Sequence, residues 1–214
     1  MITVYFIRHG QSEANLKGII QGHAEFPLSS LGEKQIKLAG KALSNVNIDH
    51  FITSDLGRAV KTCEAIAKHH SKKVESSQMV REIGLGPLQG KTRDQMYEEF
   101  PNLQPNMLLT SGIKGTETLD EISNRCEKVV EKLLDNHAGK TVAIVSHGGF
   151  ISIMLMFLIA GRKWHELEIP FIIGNTGITK ITMEPTGHAK IHFTNRTDHL
   201  EYEEGVTPET PVAY

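Results

Sequence analysis

Apolar and polar positions along this chain keep two periods, one of a strand and one of a helix. Ile2, Val4, Phe6 and Ile7 open the sequence as a short buried strand. Phe51 to Thr53, the run Val142, Ile144 and Val145, Ile178 to Met183 and Lys190 to Phe193 read the same way, and Val74 and Val80 mark a weaker strand region ending near Glu82. Between them lie helical patterns. Ser30-x-x-Glu33 has capping-box spacing and predicts a helix to about Ser44. Ala59, Cys63, Ile66 and Ala67 recur at helical spacing behind Ser54 or Asp55 as a cap, and Thr118-x-x-Glu121 opens a helix whose Ile122, Cys126, Val129, Val130 and Leu133 share one face. The run Phe150 to Ala160 is apolar throughout, but falls short of the roughly 20 residues of a membrane span, so it predicts a buried helix.

Strands alternating with helices predict an α/β fold, a three-layer αβα arrangement around a mainly parallel sheet. Residues 1–214 read as one domain. The Gly- and Pro-bearing stretch at about 84–117 has no long amphipathic pattern and is expected to form a small cap of one short helix and loops. The acidic, Pro-containing tail after Glu201 is expected to be loose. In such sheets ligands bind beyond the strand C-termini. His9, Ser54 to Arg58, Glu82 and His147 each follow a predicted strand, so four separated segments are expected to meet at one edge.

Composition narrows the partners. With 22% charged and 39% hydrophobic residues in 214, the chain reads as soluble and globular, and a formal net charge of -2 argues against general nucleic-acid binding. Cys63 and Cys126 are far apart and lack C-x-x-C spacing, and the first residues carry no signal-peptide pattern. A cytoplasmic setting, with no membrane partner, is the expectation. Oligomeric state is left open.

The chemistry lies in Arg8-His9-Gly10 and in Ser146-His147-Gly148-Gly149, two strand endings of one design. Arg8, Arg58, His9 and His147 together form a pocket for a dianion, because a guanidinium fork gives paired, charge-assisted hydrogen bonds to phosphate. Gly148-Gly149 allows close backbone approach at the start of the following helix. A neutral imidazole attacks phosphorus through one nitrogen while the other donates to an orienting acceptor, and His9 is the candidate for that role. His147 would stabilise the transferring phosphoryl group. Glu82, beside apolar Ile83 and Leu85, is the candidate proton donor, since desolvation favours a protonated carboxyl. The arginines supply the positive charge, so neither a metal nor another cofactor is required.

Five stretches carry a resemblance. These are Arg8-His9-Gly10-Gln11-Ser12 with Asn15, and Gln21-Gly22 followed by Pro27-Leu28-Ser29 and Gly32. The third is Thr53-Ser54-Asp55-Leu56-Gly57-Arg58-Ala59 with Thr62. The others are Arg81-Glu82-Ile83-Gly84 with Leu88-Gln89-Gly90, and Val145-Ser146-His147-Gly148-Gly149. In this order they resemble the histidine phosphatase superfamily, which includes cofactor-dependent phosphoglycerate mutase. The resemblance implies a phosphoglycerate mutase-like fold, with His9 as phosphorylated nucleophile and Arg8, Arg58 and His147 as the phosphate pocket. It implies Glu82 as proton donor and Asn15, Gln21 and Gly22 as secondary substrate contacts; Gly148 joins the substrate-binding set through its close backbone approach.

Departures from the mutase pattern favour hydrolysis. Mutases resembling this chain follow the catalytic Glu with basic and tyrosine residues, where Ile83-Gly84-Leu85-Gly86-Pro87 stands here, and carry paired arginines in an insertion, whereas Asn102 to Ile113 has no basic residue. The expected activity is a metal-independent phosphatase acting on a small phosphorylated metabolite. The alternatives are a phosphoglycerate mutase and a non-catalytic module that binds phosphorylated ligands. Phe100, Leu103, Met107, Leu108 and Leu109 serve either as the cap's own core or as the wall for an apolar leaving group. The P-loop-like run from Gly84 to Thr92 misses the required glycine spacing at Leu85, and His188 and His192 sit in an alternating, strand-like pattern without a third metal ligand.

Overall fold

A computed structural model describes residues 1–103, 108, 111–167, 171–201 and 206. The strands are β1 (Ile2–Arg8), β2 (His50–Thr53), β3 (Val74–Ser76), β4 (Thr141–Ser146), β5 (Ile178–Met183) and β6 (Ala189–Arg196). The helices are α1 (Glu13–Leu16), α2 (Ser30–Leu43), α3 (Gly57–Ala67), α4 (Arg93–Glu99), α5 (Leu119–Asn136) and α6 (Gly148–Ala160). The strands form one sheet in the order β3-β2-β4-β1-β5-β6. The first four are mutually parallel, while β5 runs antiparallel to β1 and β6 antiparallel to β5.

Strand alternation sorts the core into two layers. Val4, Phe6, Ile52, Val142 and Ile144 pack with Ile122, Cys126 and Val129 of α5 and with α6, whereas Ile7, Phe51, Ala143 and Val145 pack with α2 and α3 through Ala39, Leu43, Ala59, Cys63 and Ile66. Successive side chains point to opposite faces, so each inner strand must be apolar on both. The outcome is the expected three-layer αβα arrangement. Among the described residues no helix is long and apolar enough to cross a membrane.

Several boundaries differ from those the sequence predicts. The loop from Gly10 to Pro27 contains α1, nucleated by a reciprocal Ser12–Asn15 capping box. The strand region through Val80 stops at Ser76, because Ser77 caps a 3-10 turn over Gln78–Val80 and Ser146 Oγ donates to Val80 O (2.7 Å). Glu82 therefore follows a turn, not a strand. Neither Ser54 nor Asp55 is the cap residue of α3. Leu56 holds that position without a side-chain bond, and the Glu25 carboxylate accepts from Gly57 N at 3.2 Å instead. Ser54 and Asp55 are engaged elsewhere, with His147 and Arg81. The late strand is longer than Lys190 to Phe193, and α6 starts two residues before Phe150.

The region read as a cap contains a 3-10 turn at Gly86–Leu88 and α4, with loops between them. Leu108 is buried with the α5–α6 core, and Phe100 and Leu103 pack against it. Met107, Leu109 and most of the tail after Glu201 lie outside the described residues. Cys63 and Cys126 are both buried and reduced, and burial pushes each thiol up to about 12. His192 bonds Thr182 and His188 bonds Thr186, each at 3.0 Å.

Candidate active site

Strand pairing brings the two histidines together. β1 and β4 are parallel neighbours with Arg8 opposite Ser146, so the next residues, His9 and His147, emerge side by side. His9 N donates to Ser146 O (2.9 Å), and the imidazole rings lie 5.0 Å apart at 60°. Both are buried.

Each ring is oriented by one nitrogen. His9 Nδ1 lies 2.7 Å from Gly10 O, and a carbonyl only accepts, so Nδ1 carries the hydrogen and Nε2 keeps its lone pair. Burial first, then the Arg58 and Arg8 charges, hold His9 well below the ordinary imidazole range. The ring is thus neutral and nucleophilic at Nε2. His147 Nε2 bonds Ser54 Oγ at 2.8 Å, leaving Nδ1 buried without a partner. Ser54 Oγ also accepts from Leu56 N (3.3 Å), and the tautomer in which its own hydrogen goes to His147 Nε2 gives that buried hydrogen an acceptor and places the imidazole hydrogen on Nδ1. His147 is likewise held neutral, chiefly by burial and then by Arg58, His9 and Arg8.

Backbone carbonyls aim the two arginines. Arg8 NH1 donates to Ile173 O (2.7 Å), and its Nε is buried and unpartnered. Arg58 donates to Ala24 O and Gly22 O, both at 2.9 Å. Unpartnered buried donors are costly unless something answers them. Arg8 Nε and His147 Nδ1 are therefore fitted to an anion.

Glu82 sits at the N-terminus of α6. Its Oε1 accepts from Ile83 N (3.0 Å) and Phe150 N (2.9 Å), and Oε2 accepts from Gly149 N (3.2 Å). Beside buried Ile83 and Leu85, Glu82 thus also meets a cradle of backbone donors, which the local sequence does not display. Glycine makes it possible: a Cβ on Gly149 would lie 2.7 Å from Glu82 Oε1, and one on Gly148 would lie 3.2 Å from Arg8 Nε. The segment carrying Glu82 is clamped from α5. Arg125 forms a two-pronged pair with Glu117 (2.7 Å each) and donates to Arg81 O (2.8 Å), while His23 Nε2 donates to Glu82 O (2.8 Å).

Asn15 Oδ1 accepts from Ser12 N (3.1 Å), which fixes the amide and leaves Nδ2 as the end available to a ligand. Gln21 Oε1 accepts from Ser12 Oγ (2.8 Å), presenting its amide nitrogen in the same way. Gly22 is placed differently. Its carbonyl holds Arg58, and at φ +50 a Cβ there would lie within 2.2 Å of Gln89 Oε1. It orients the guanidinium.

The model of the histidine phosphatase superfamily (branch 1) matches residues 4–196. The chain belongs to this superfamily. A Salmonella choleraesuis relative, named probable phosphoglycerate mutase GpmB, is 28% identical over 184 residues, covering 85% of each chain. Among solved structures, Bacillus stearothermophilus YhfR superposes with TM-score 0.81 at 25% identity, covering 93% of this chain and 99% of its own. An Entamoeba histolytica phosphoserine phosphatase in complex with 3-phosphoglyceric acid gives TM-score 0.75 at 29% identity, covering 94% and 100%. Superfamily membership and these neighbours make the chain a phosphatase or mutase enzyme of phosphoglycerate mutase-like fold.

The histidine phosphatase site also uses Gln89, Arg81 and Asp55, which belong to the five stretches but carry no role there, and Asn175, which lies outside them. Gln89 Oε1 accepts from His23 N (2.7 Å) and Leu85 N (3.2 Å), tying two loops together. Asn175 Nδ2 donates to His9 O (3.0 Å), and Arg81 pairs with Asp55. Asn175 has no local sequence signal, because its partner His9 lies 166 positions away.

Proposed function

We propose that this protein hydrolyses phosphate monoesters through a phosphohistidine on His9, without a metal. The observation that carries this reading is the bond from His9 Nδ1 to Gly10 O, which leaves Nε2 of a neutral buried ring as a nucleophile between two arginines. Nε2 attacks phosphorus and the ester P–O bond breaks. Glu82, in its protonated form, gives its proton to the departing alkoxide, and Oε2, which makes the longest of the three backbone bonds, is the oxygen assigned to carry it. Water then attacks the phosphohistidine, Glu82 takes its proton, and the N–P bond breaks to release phosphate. Arg8, Arg58 and His147 Nδ1 hold the phosphoryl oxygens throughout, aimed before the substrate arrives. Asn15, Gln21 and the backbone at Gly148 supply further donors.

Hydrolysis is favoured over transfer by the stretch after Glu82. Ile83 and Leu85 are buried, and Gly84 N is bonded to Glu117 (3.0 Å), so this stretch offers no cation to a substrate carboxylate. The substrate class is a small phosphorylated metabolite, in keeping with the phosphoserine phosphatase among the structural neighbours. The mutase-named relative and the 3-phosphoglyceric acid seen in that neighbour favour a second reading, phosphoglycerate mutase.

Turnover of p-nitrophenyl phosphate in EDTA, with acid-labile phosphate trapped on His9, is the expected result, and His9→Ala abolishes both. Activity surviving in His9→Ala, or a requirement for added metal, overturns the mechanism. Phosphoglycerate isomerisation outpacing phosphate release would establish the mutase.

A further inference from the structure

We propose that Asn175 and Thr176, in the loop before β5, are positioning residues that set the backbone of the nucleophile His9; this rests on the phosphohistidine reading above. Thr176 is one of three non-glycine residues at positive φ among those described, at φ 55. A β-branched residue resists the left-handed region, so its neighbours must hold it there. Its N–H is shared between Arg8 O (3.1 Å) and His9 O (3.3 Å). Its hydroxyl lies 2.7 Å from Asn175 O and 3.0 Å from Nε2 of buried His199, which latches the loop to the C-terminal 3-10 turn Asp198–Leu200.

Asn175 uses one amide group for two tasks. Ser12 N donates to Asn15 Oδ1, so that atom is an acceptor, and His9 O is another. Asn175 Nδ2, at 3.0 Å from His9 O and 3.4 Å from Asn15 Oδ1, must therefore be the donor. Its own Oδ1 is left buried without a partner. A buried amide that leaves its oxygen unanswered is retained for what its nitrogen does. Here the nitrogen ties the backbone of the nucleophile to the side chain expected to meet the substrate.

The consequence is geometric. His9 is held at its N–H by Ser146 O, at its carbonyl by Asn175 and Thr176, and through Gly10 N by Thr62 Oγ1 (3.1 Å). These bonds orient the His9–Gly10 peptide, and Gly10 O in turn orients the imidazole. Removing the Asn175 amide lets that peptide rock and swings Nε2 away from the line of attack. The phosphate pocket is untouched, because Arg8, Arg58 and His147 have other anchors and Asn15 keeps its Ser12 donors.

Rapid-quench single turnover with p-nitrophenyl phosphate, alongside inhibition by inorganic phosphate, tests this. Asn175→Ala is expected to slow phosphorylation of His9 about 10²-fold, with the inhibition constant for phosphate changed less than about threefold. Asn175→Asp keeps the shape but sets a carboxylate oxygen against two acceptors. It is expected to show the same split and serves if the alanine variant does not fold. Thr176→Gly frees the backbone to leave positive φ and removes the hydroxyl latch to His199, and is expected to slow phosphorylation of His9 in the same way with phosphate inhibition unchanged. A wild-type phosphorylation rate in a folded Asn175 variant overturns the proposal, and so does phosphate affinity falling in step with the rate. Absence of a phosphoenzyme in the wild type would overturn the phosphohistidine mechanism instead.

Discussion

Gly149→Ala separates what Glu82 contributes to catalysis from what it contributes to stability. The new methyl would stand 2.7 Å from Glu82 Oε1, about 0.7 Å inside ordinary van der Waals contact. The carboxylate is the movable partner, but retreating by that distance stretches its bonds from Ile83 N and Phe150 N, now 3.0 and 2.9 Å, past hydrogen-bond range. Leaving those two buried N–H donors unsatisfied costs about 1–3 kcal/mol each, and replacing glycine in a helix returns about 1 kcal/mol. A net loss of about 1–5 kcal/mol corresponds to a melting temperature lower by about 3–15 °C in a chain of this size. The catalytic effect should depend on the leaving group. A displaced general acid forfeits about 10²-fold on alkyl phosphates such as β-glycerophosphate, whose alkoxide needs the proton, and only a few-fold on p-nitrophenyl phosphate, whose phenolate leaves unaided. Steady-state kcat on the two substrates, with a thermal melt, is the assay, and Glu82→Gln should reproduce the leaving-group contrast. Equal slowing on both substrates, or full activity on both, refutes the role assigned to Glu82.

Acid pH should act through buried neutral imidazoles. Burial holds His199 at about 4, and burial with the arginines holds His9 and His147 well below the ordinary range. A histidine depressed in the folded state takes up protons first in the unfolded chain. Its stabilisation is complete above pH 6.5 and is lost progressively as pH falls toward the folded value, amounting to about 3 kcal/mol for His199. Denaturant melts from pH 7.5 to 4 should show this decline, shallower in His199→Gln; a flat profile contradicts it. Because Cys63 and Cys126 are buried thiols pushed up to about 12, iodoacetamide at pH 8 should leave activity unchanged, and inactivation by it would show that one of them is accessible.

Much of this architecture was legible in local pattern. Each inner strand is apolar on both faces, and α5 opens on the Thr118–Glu121 capping box that its spacing displays, whereas α2 is capped one residue before the predicted Ser30, by Ser29 accepting from Gly32 N, and α3 has no side-chain cap. His-Gly at two strand ends advertises a ligand edge. Arg8, His9, Arg58 and His147 accordingly converge as expected. Glu82 converges too, although its route was misread: no strand delivers it, and the Glu117–Arg125 pair that clamps its segment lies 35 and 43 positions away from it along the chain. Ser54 and Asp55 carry the composition of helix caps, yet their side chains are claimed by His147 and Arg81, partners that local spacing does not reveal.

The division follows from the range of the interactions. Alternation of side chains, the conformational freedom of glycine and the chemistry of Arg, His and Glu are properties of neighbouring residues, so the chain displays them directly. Strand order is a property of the packed sheet. Placing β1 beside β4, with Arg8 opposite Ser146, is what turns two distant histidines into a pair 5.0 Å apart, and placing β5 on the other side of β1 brings Asn175 and Thr176 against His9. Those pairings are chosen by burial of whole faces and by register across more than a hundred residues, which no local window contains.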